Sequence, residues 1–426
     1  MGGVGWPPDR PPTTGGEALT DAIAAAEAAL RYNIRPLTGG AGRGIAAAPT
    51  GDPTRPGPLV ANGDVVILEG LRPDEAAGLV AAVEAEGGRT SMAPDGERAV
   101  LAGPAGSLNL AATRLAELGP PAGELGGALT RALAGRGART TLRCGDHRLL
   151  LGEATLIMGV VNVTPDSFSG DGLAGDVGAA VALAERLVGE GADIVDVGGE
   201  STRPGSSPVD AATELARVMP VVEALAARLG VPISVDTRKA EVARAAIGAG
   251  ATLVNDIWGL RGDPQMAAVV AGHPEVALVA MHNRGGTTYA DLVADISRDL
   301  HESLVIAARH GVAAERIVVD PGFGFGKTPA QNLELVQRLP ELGGLGRPLL
   351  LGPSRKSTIG LLLGGAPPEL RVEGTLALCV LAVAAGAEIV RVHDVGAIRR
   401  GLRVADAVLR DVPEEVRRAP VPGRTG

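Results

Sequence analysis

The chain of 426 residues is poor in aromatic side chains, with two tryptophans, two tyrosines and three phenylalanines. Its core must therefore be built from Ala, Val, Leu and Ile, and the few rings stand out by position. Phe168, Phe323, Phe325 and Trp258 all follow apolar runs inside Gly-rich or polar stretches, where a ring is expected to face a ligand. Cysteine is as scarce. Cys144 and Cys379 are too few and too far apart in sequence for a disulfide framework, which fits a reducing cytoplasm. Cys144 and His147 form a lone Cys-x-x-His with no second ligand pair, so zinc is not expected. Long blocks of one charge sign are missing too. The formal charge of −9 is spread along the chain and leaves no electrostatic footprint for nucleic acid or an anionic membrane. No apolar run reaches the roughly 18 residues of a membrane span, and the start MGGVGWPPDR lacks the charged and apolar regions of a secretory signal. A cytoplasmic protein acting on small molecules is the expectation.

With 45% hydrophobic and 21% charged residues, the chain can bury a large core. Residues 1–62 are rich in Gly, Pro and Ala and read as disordered segment and linker with one short helix. Residues 63–137 carry the pattern of a small α/β extension domain. Apolar runs at 65–68 and 99–102 alternate with helical periodicity at 73–86, 107–118 and 123–134. No catalytic constellation is visible in it. Residues 138–412 form the second domain, opened by a hairpin at 140–151 that should cap its floor, and 413–426 read as a flexible tail. Within that domain, strand candidates fall at 156–163, 194–197, 233–235, 253–254, 276–280, 317–319, 349–351 and 389–392, separated by helical segments. Strands alternating with helices over roughly 260 residues match an α/β fold of the (β/α)8 TIM-barrel type, with an open doubly wound sheet as the alternative.

In such a barrel, chemistry collects where strands end and loops begin. Here those ends carry Asn162, Asp196 with Glu200, Asp236, Asn255 with Asp256, His282, Asp320, Ser354 with Arg355 and Lys356, then Arg391 with His393. One aspartate at a strand end is unremarkable, since it often caps the following helix. Polar groups at nearly every end of one rim imply a ligand. The second loop, residues 198–205, joins paired glycines to hydroxyls and Arg203, which could grip a carboxylate while the hydroxyls hold a phosphate. The sixth loop, Asp320 to Thr328, is a near miss of a phosphate-binding P-loop, with Pro321 in place of the first glycine. It reads better as a tight turn that sets Asp320 against a polar heterocycle and Phe325 beside its ring. Lys356, Arg391 and His393 offer positive charge to an anion, and with Asn162 nearby a metal-assisted diphosphate could be bound.

These residues resemble the dihydropteroate synthase family. The resemblance runs from about 156 to 409 and rests on seven motifs in order: MGVVNVTPDSFS, DVGGESTRPGS, SVDTRK, VNDI, DPGFGFGK, GPSRKS and RVHDV. It implies condensation of 6-hydroxymethyl-7,8-dihydropterin diphosphate with 4-aminobenzoate, releasing diphosphate. It places the pterin against Asp236, Asn255, Asp320 and Lys356, flanked by Arg391, with Met281 and Phe325 as apolar wall. The diphosphate falls to Asn162, Arg391 and His393, with Mg²⁺ held through Asn162. The aminobenzoate falls to Thr202, Pro204, Lys356 and Ser357, with Arg203 assisting loop order or carboxylate recognition. Asp236, Lys356, Arg391 and His393 are the implied catalytic set, and a homodimer is the implied assembly. The fifth loop departs from the family pattern, with Asn283-Arg284-Gly285-Gly286-Thr287 after Met281-His282, and the first loop exchanges Gly170 and Asp171. A pterin-binding corrinoid methyltransferase and a catalytically silent paralogue are the competing readings, and the extension before 140 has no assigned activity.

Overall fold

The computed structural model describes residues 31–36, 63–104, 106–118, 122–134, 140–164, 176–201, 208–410 and 412–417, together with Ile23 and Glu27. Eight parallel strands form the larger domain: β7 (Leu156–Asn162), β8 (Ile194–Gly198), β9 (Ile233–Asp236), β10 (Leu253–Asp256), β11 (Ala277–Met281), β12 (Ile317–Asp320), β13 (Leu350–Leu351) and β14 (Ile389–Val392). Their spatial order is β12-β11-β10-β9-β8-β7-β14-β13, and a parallel bridge between Val319 and Leu349 joins the two ends into a (β/α)8 barrel. Closure explains why these strands read as continuous apolar runs. Each is covered on both faces, so alternation with polar residues is lost.

Alternate side chains divide between two cores. Met158, Ile194, Leu253, Ala277, Val279, Val318, Leu350 and Ile389 fill the barrel, where Leu142, Cys144 and Leu151 of the hairpin β5 (Thr140–Cys144) and β6 (His147–Leu151) close its lower end. The other set, including Ile157, Val161, Val195 and Val235, packs against the surrounding helices. Each fully buried branched side chain contributes about 2 kcal/mol, which is how an aliphatic chain holds so large a sheet without rings. Gly159 is required where helix and strand approach closely, because a Cβ there would lie 3.1–3.3 Å from Leu187, Ala192 and Val395. Helix starts follow the sequence. Asp291 caps Leu292–Arg309 by accepting from Ala294 N at 2.8 Å, and Thr328 with Gln331 forms a capping box on Pro329–Gln337.

The small domain is a four-stranded antiparallel sheet, ordered β1 (Arg35–Pro36), β2 (Gly63–Glu69), β4 (Arg98–Pro104), β3 (Arg89–Met92). Helices Pro73–Ala85, Ser107–Glu117 and Ala122–Ala134 share with it a core of Leu68, Leu79, Leu101, Leu108, Leu115 and Leu129. Two features differ from the sequence reading. Residues 31–36 lie within the stretch read as linker, yet they belong to this domain, since Tyr32 and Ile34 are buried in its core and β1 pairs with β2. Strand β3, Arg-Thr-Ser-Met, has no apolar alternation and gave no signal. The domain docks on the barrel through β1. Arg35, buried, donates to Glu341 at 2.8 Å and to Glu69 at 3.0 Å, and Gly344 passes so close that a Cβ would meet the Ile34 carbonyl.

Candidate active site

The eight strands place their carboxyl ends on one rim, and the side chains there form a connected polar cluster. Arg391, on β14, donates through Nε to Asp196 on β8 at 2.6 Å and through Nη2 to Asp236 on β9 at 2.6 Å. Asn255, on β10 and buried, donates to the same Asp196 oxygen at 3.2 Å. Three strands thus meet at one guanidinium, and a fourth, β10, joins them through Asp196. Asn162, at the end of β7, and Asp236, at the end of β9, flank Gly198 of β8 in register. A Cβ at Gly198 would sit 3.8 Å from Asn162 Oδ1 and 3.5 Å from Asp236 Cβ. The glycine leaves that space open.

Electrostatics in the cluster run against full ionisation. Burial pushes Asp236 up to about 7; Arg391 pulls it down, while Asp196 and Glu214 push it further up. Burial likewise carries Asp320 up to about 6, opposed by the Gly322 amide, which donates to it at 2.7 Å, and by Lys327, Lys356 and Arg391. Burial works against the charge of Arg391, but Asp196 and Asp236 outweigh it and keep the guanidinium protonated. Asp196 Oδ1 is buried with no hydrogen-bond partner among the described residues. Such groups suit a polar ring whose N–H donors can complete them.

Around this cluster stand the other residues marked by sequence. Lys356 holds its ammonium 4.1 Å from the Phe325 ring centroid and acts electrostatically on both Asp236 and Asp320. Met281 ends β11 directly beside Asp320 in register and is buried. His393 Nδ1 meets Ser354 Oγ at 3.0 Å, and its backbone N–H donates to the same hydroxyl at 3.1 Å. Ser357 opens the helix Ser357–Leu362. Arg355 pairs with Asp394 through two contacts, at 2.6 and 2.9 Å, and so anchors the rim. Thr202, Arg203 and Pro204 lie outside the described residues, as do Gly170, Asp171 and Phe168. Phe323 does not face a ligand: it is 1% exposed in a core with Leu292, Leu335 and Leu349, because the loop turns it back under the barrel wall. Trp258 packs over Gly262, where a Cβ would lie 2.9 Å from its own.

Two features of the site had weak sequence signals. Asp196 was visible at a strand end, but its role as partner of Arg391 spans 195 positions and no spacing rule shows it. Glu200, at the root of the second loop, pairs with Arg238 at 3.1 Å and with Lys239, which also holds the buried Glu214. The third loop's basic pair thereby fixes the second loop's stem. The unusual fifth loop has its own support. Arg284 stacks 4.3 Å over Tyr289 and donates to Asp299 at 2.8 Å, and Tyr289 donates to the Gly326 carbonyl at 2.8 Å.

Residues 158–393 match the model of the pterin binding enzyme family. The chain belongs to that family. It is 49% identical over 257 residues to the dihydropteroate synthase of Bacillus subtilis, an alignment covering 60% of this chain and 90% of that protein. Among solved structures, a Clostridium difficile dihydropteroate synthase determined in the presence of pteroic acid is 48% identical, with a TM-score of 0.59, and covers 61% of this chain and 98% of its own. The Xanthomonas albilineans dihydropteroate synthase with 4-aminobenzoic acid is 47% identical, with a TM-score of 0.61, covering 65% of this chain and all of its own. In this pterin-binding chain the matched part is the barrel, and the family match at 158–393 begins after the small domain has ended.

Proposed function

We propose that the barrel is a dihydropteroate synthase, joining 6-hydroxymethyl-7,8-dihydropterin diphosphate to 4-aminobenzoate with release of diphosphate. The observation that carries this reading is the Arg391–Asp196–Asp236–Asn255 cluster, set in a chain whose relatives are dihydropteroate synthases. The largely buried acceptors Asp236 and Asp320 suit the guanidine-like edge of a pterin, whose parallel N–H groups a carboxylate can accept in pairs. Phe325 and Met281 supply apolar wall, and Lys356 and Arg391 flank the ring. The relatives favour the synthase over the corrinoid methyltransferase reading, and the silent paralogue is the alternative that the experiment below decides.

The reaction breaks the bond between the pterin methylene and the diphosphate oxygen, which leaves with the electron pair. The amine nitrogen then forms the new C–N bond and gives up a proton. Arg391 and His393 are the residues assigned to stabilise the leaving anion, and orientation of the two substrates supplies much of the acceleration. A covalent nucleophile is not required. Cys144 and Cys379 are buried, with thiols pushed up to about 12, and neither lies on the rim.

Asn162 contributes one neutral oxygen to the rim, and among the described residues no group of three or more His, Cys, Asp or Glu could hold a metal ion. That donor set fits Mg²⁺ carried mainly by diphosphate oxygens, an ion that would neutralise departing charge when bound through Asn162. A homodimer is part of the reading. Leu361, Leu362, Leu381, Val404 and Val408 are 56–78% exposed on the helices Ser357–Leu362, Val372–Ala384 and Val395–Leu409, apolar surface suited to a second copy. The cytoplasm is the proposed location, in keeping with two unpaired cysteines, and no described helix is long and apolar enough to cross a membrane. The deciding experiment measures diphosphate release with Mg²⁺, the dihydropterin diphosphate and 4-aminobenzoate, leaving out each in turn. Release that needs all three, with dihydropteroate formed, is expected. Pterin binding without release would overturn the catalytic reading.

A further inference from the structure

The sixth loop ends in Gly-Lys-Thr like a phosphate-binding loop, yet its lysine points inward. Lys327 is 8% exposed. Its Nζ donates to Gly322 O at 3.0 Å and Phe325 O at 3.1 Å, and meets His282 Nδ1 at 3.1 Å. An ammonium has three hydrogens, and these three acceptors use them all. No donor remains for a phosphate.

The third acceptor is itself prepared. His282, fully buried at the foot of the fifth loop, places Nε2 3.0 Å from Asp299 Oδ2. A neutral imidazole that donates from Nε2 to the carboxylate presents a bare Nδ1, which is what Lys327 needs. Burial carries His282 down to about 4, against the opposing pull of Asp299, so the ring is neutral at ordinary pH.

Burying a lysine head is costly: burial carries Lys327 down to about 7, opposed by Asp320, while three acceptors around Nζ favour the protonated form. A methionine would fill the same space without charge. What the ammonium adds is a tie between two carbonyls on either side of a turn. That turn is built from Gly322, Gly324 and Gly326, all with φ between +55° and +83°. Glycines have little conformational preference of their own, so the turn must be held from outside. Asp320 leads into it and Phe325 lies within it, two of the groups read above as pterin contacts.

We propose that Lys327, oriented by His282, is a positioning residue that clips the sixth loop so that Asp320 and Phe325 meet the pterin ring. The inference rests on the pterin-site reading of the barrel. Its test uses the full-length protein, with equilibrium titration of the dihydropterin diphosphate and steady-state kinetics in both substrates. Lys327→Met should weaken binding of the dihydropterin diphosphate about thirtyfold, because charged hydrogen bonds that shape the site are lost. The KM for 4-aminobenzoate at saturating pterin should rise far less, staying within about threefold, because of its proposed contacts only Lys356 touches the clipped loop, through Phe325. A purely structural role would raise both together, and that result would overturn the proposal. Pterin binding within about threefold of wild type would overturn it too. Should Lys327→Met fail to fold, His282→Gln decides: about fivefold weaker pterin binding supports the clip, and unchanged binding refutes it. Wild-type protein that neither binds the pterin nor releases diphosphate would reject the functional reading itself, independently of either variant.

Discussion

Two carboxylates, one in each domain, are drawn out of bulk water, Glu75 wholly and Asp236 with 12% of its side chain still exposed, and their surroundings differ in kind. Glu75 of the small domain is fully buried. It accepts from the Arg72 backbone at 2.8 Å, the Arg72 side chain at 2.7 and 2.9 Å, Arg31 at 3.0 and 3.2 Å and Tyr32 at 2.9 Å. Burial pushes its pKa up, but these bonds outweigh it and hold the group below its ordinary value. Asp236 of the barrel shares one guanidinium with Asp196, and burial carries it up to about 7. Asp196 itself keeps one buried oxygen without a donor among the described residues. A buried charge with every lone pair answered holds a fold together, whereas a pair of acids short of donors is kept for a ligand.

Exchange of each carboxylate for its amide separates the two roles most sharply. Asp236→Asn should lower kcat/KM about a thousandfold, because the amide presents N–H where the pterin needs an acceptor, while the melting temperature holds or rises as an unfavourable buried charge is removed. Lys356→Ala should likewise nearly abolish turnover and leave the fold intact. Glu75→Gln should do the reverse, costing about 3 kcal/mol in stability through broken buried pairs while activity stays within about twofold. Urea unfolding and initial rates on the same preparations check both. An active Asp236→Asn, or an inactive Glu75→Gln with its small domain folded, would dissolve the distinction.

Acid should drive the two regions apart. Asp236 has a folded pKa of about 7, above its ordinary value of 3.8, so the folded protein takes up a proton before the unfolded chain does. Its contribution to stability therefore rises as pH falls from 7 toward 4. Catalysis needs the carboxylate, so kcat/KM for the dihydropterin diphosphate should fall about tenfold between pH 8 and pH 6. Glu75 behaves oppositely. Its stabilisation is present above its ordinary value of 4.5 and is lost as pH falls through its lower folded value. Asp256, Asp320 and Glu388 are raised as well, mainly by burial, and share the sign of Asp236. The difference in melting temperature between wild type and Asp236→Asn across pH 5 to 8 isolates the one residue. A constant difference would show that Asp236 does not titrate in this range.

The same contrast explains what could be read before the structure was known. Parallel strands buried on both faces announce themselves as apolar runs, and all eight appeared within a residue or two of their limits. Strand-end polar groups were legible for a related reason, since Asn255 or Asp320 at the end of such a run has no packing purpose. Other features depend on contacts distant in sequence. Strand β1 is two residues long and joins a sheet whose next strand begins at Gly63. Phe323 and Phe325 sit in one Gly-rich loop, yet one enters the core and the other meets Lys356, a choice made by the direction of the turn. The sixth loop reads as a tight turn and not as a phosphate-binding loop, but the place of Lys327 in it was not legible, because its inward acceptors, His282 and two carbonyls, leave no mark in local spacing.

The smallest expected effect lies where the two domains touch. Arg35 and Arg338 are set among Glu69, Asp291, Glu334 and Glu341 at distances of 2.7 to 3.6 Å. Arg35 is nearly buried, so its removal relieves a desolvation cost while leaving the acids in excess. Arg338 still holds Glu341 and Asp291, which limits the damage. Arg35→Met should therefore cost only about 1–2 kcal/mol, with kcat/KM within about twofold of wild type. If docking through β1 is what makes the domains melt together, calorimetry of this variant should resolve a separate, earlier transition for the small domain. A single unshifted transition would mean that the contact around Gly344 suffices, and that the interdomain charges do no more than those on any solvated surface.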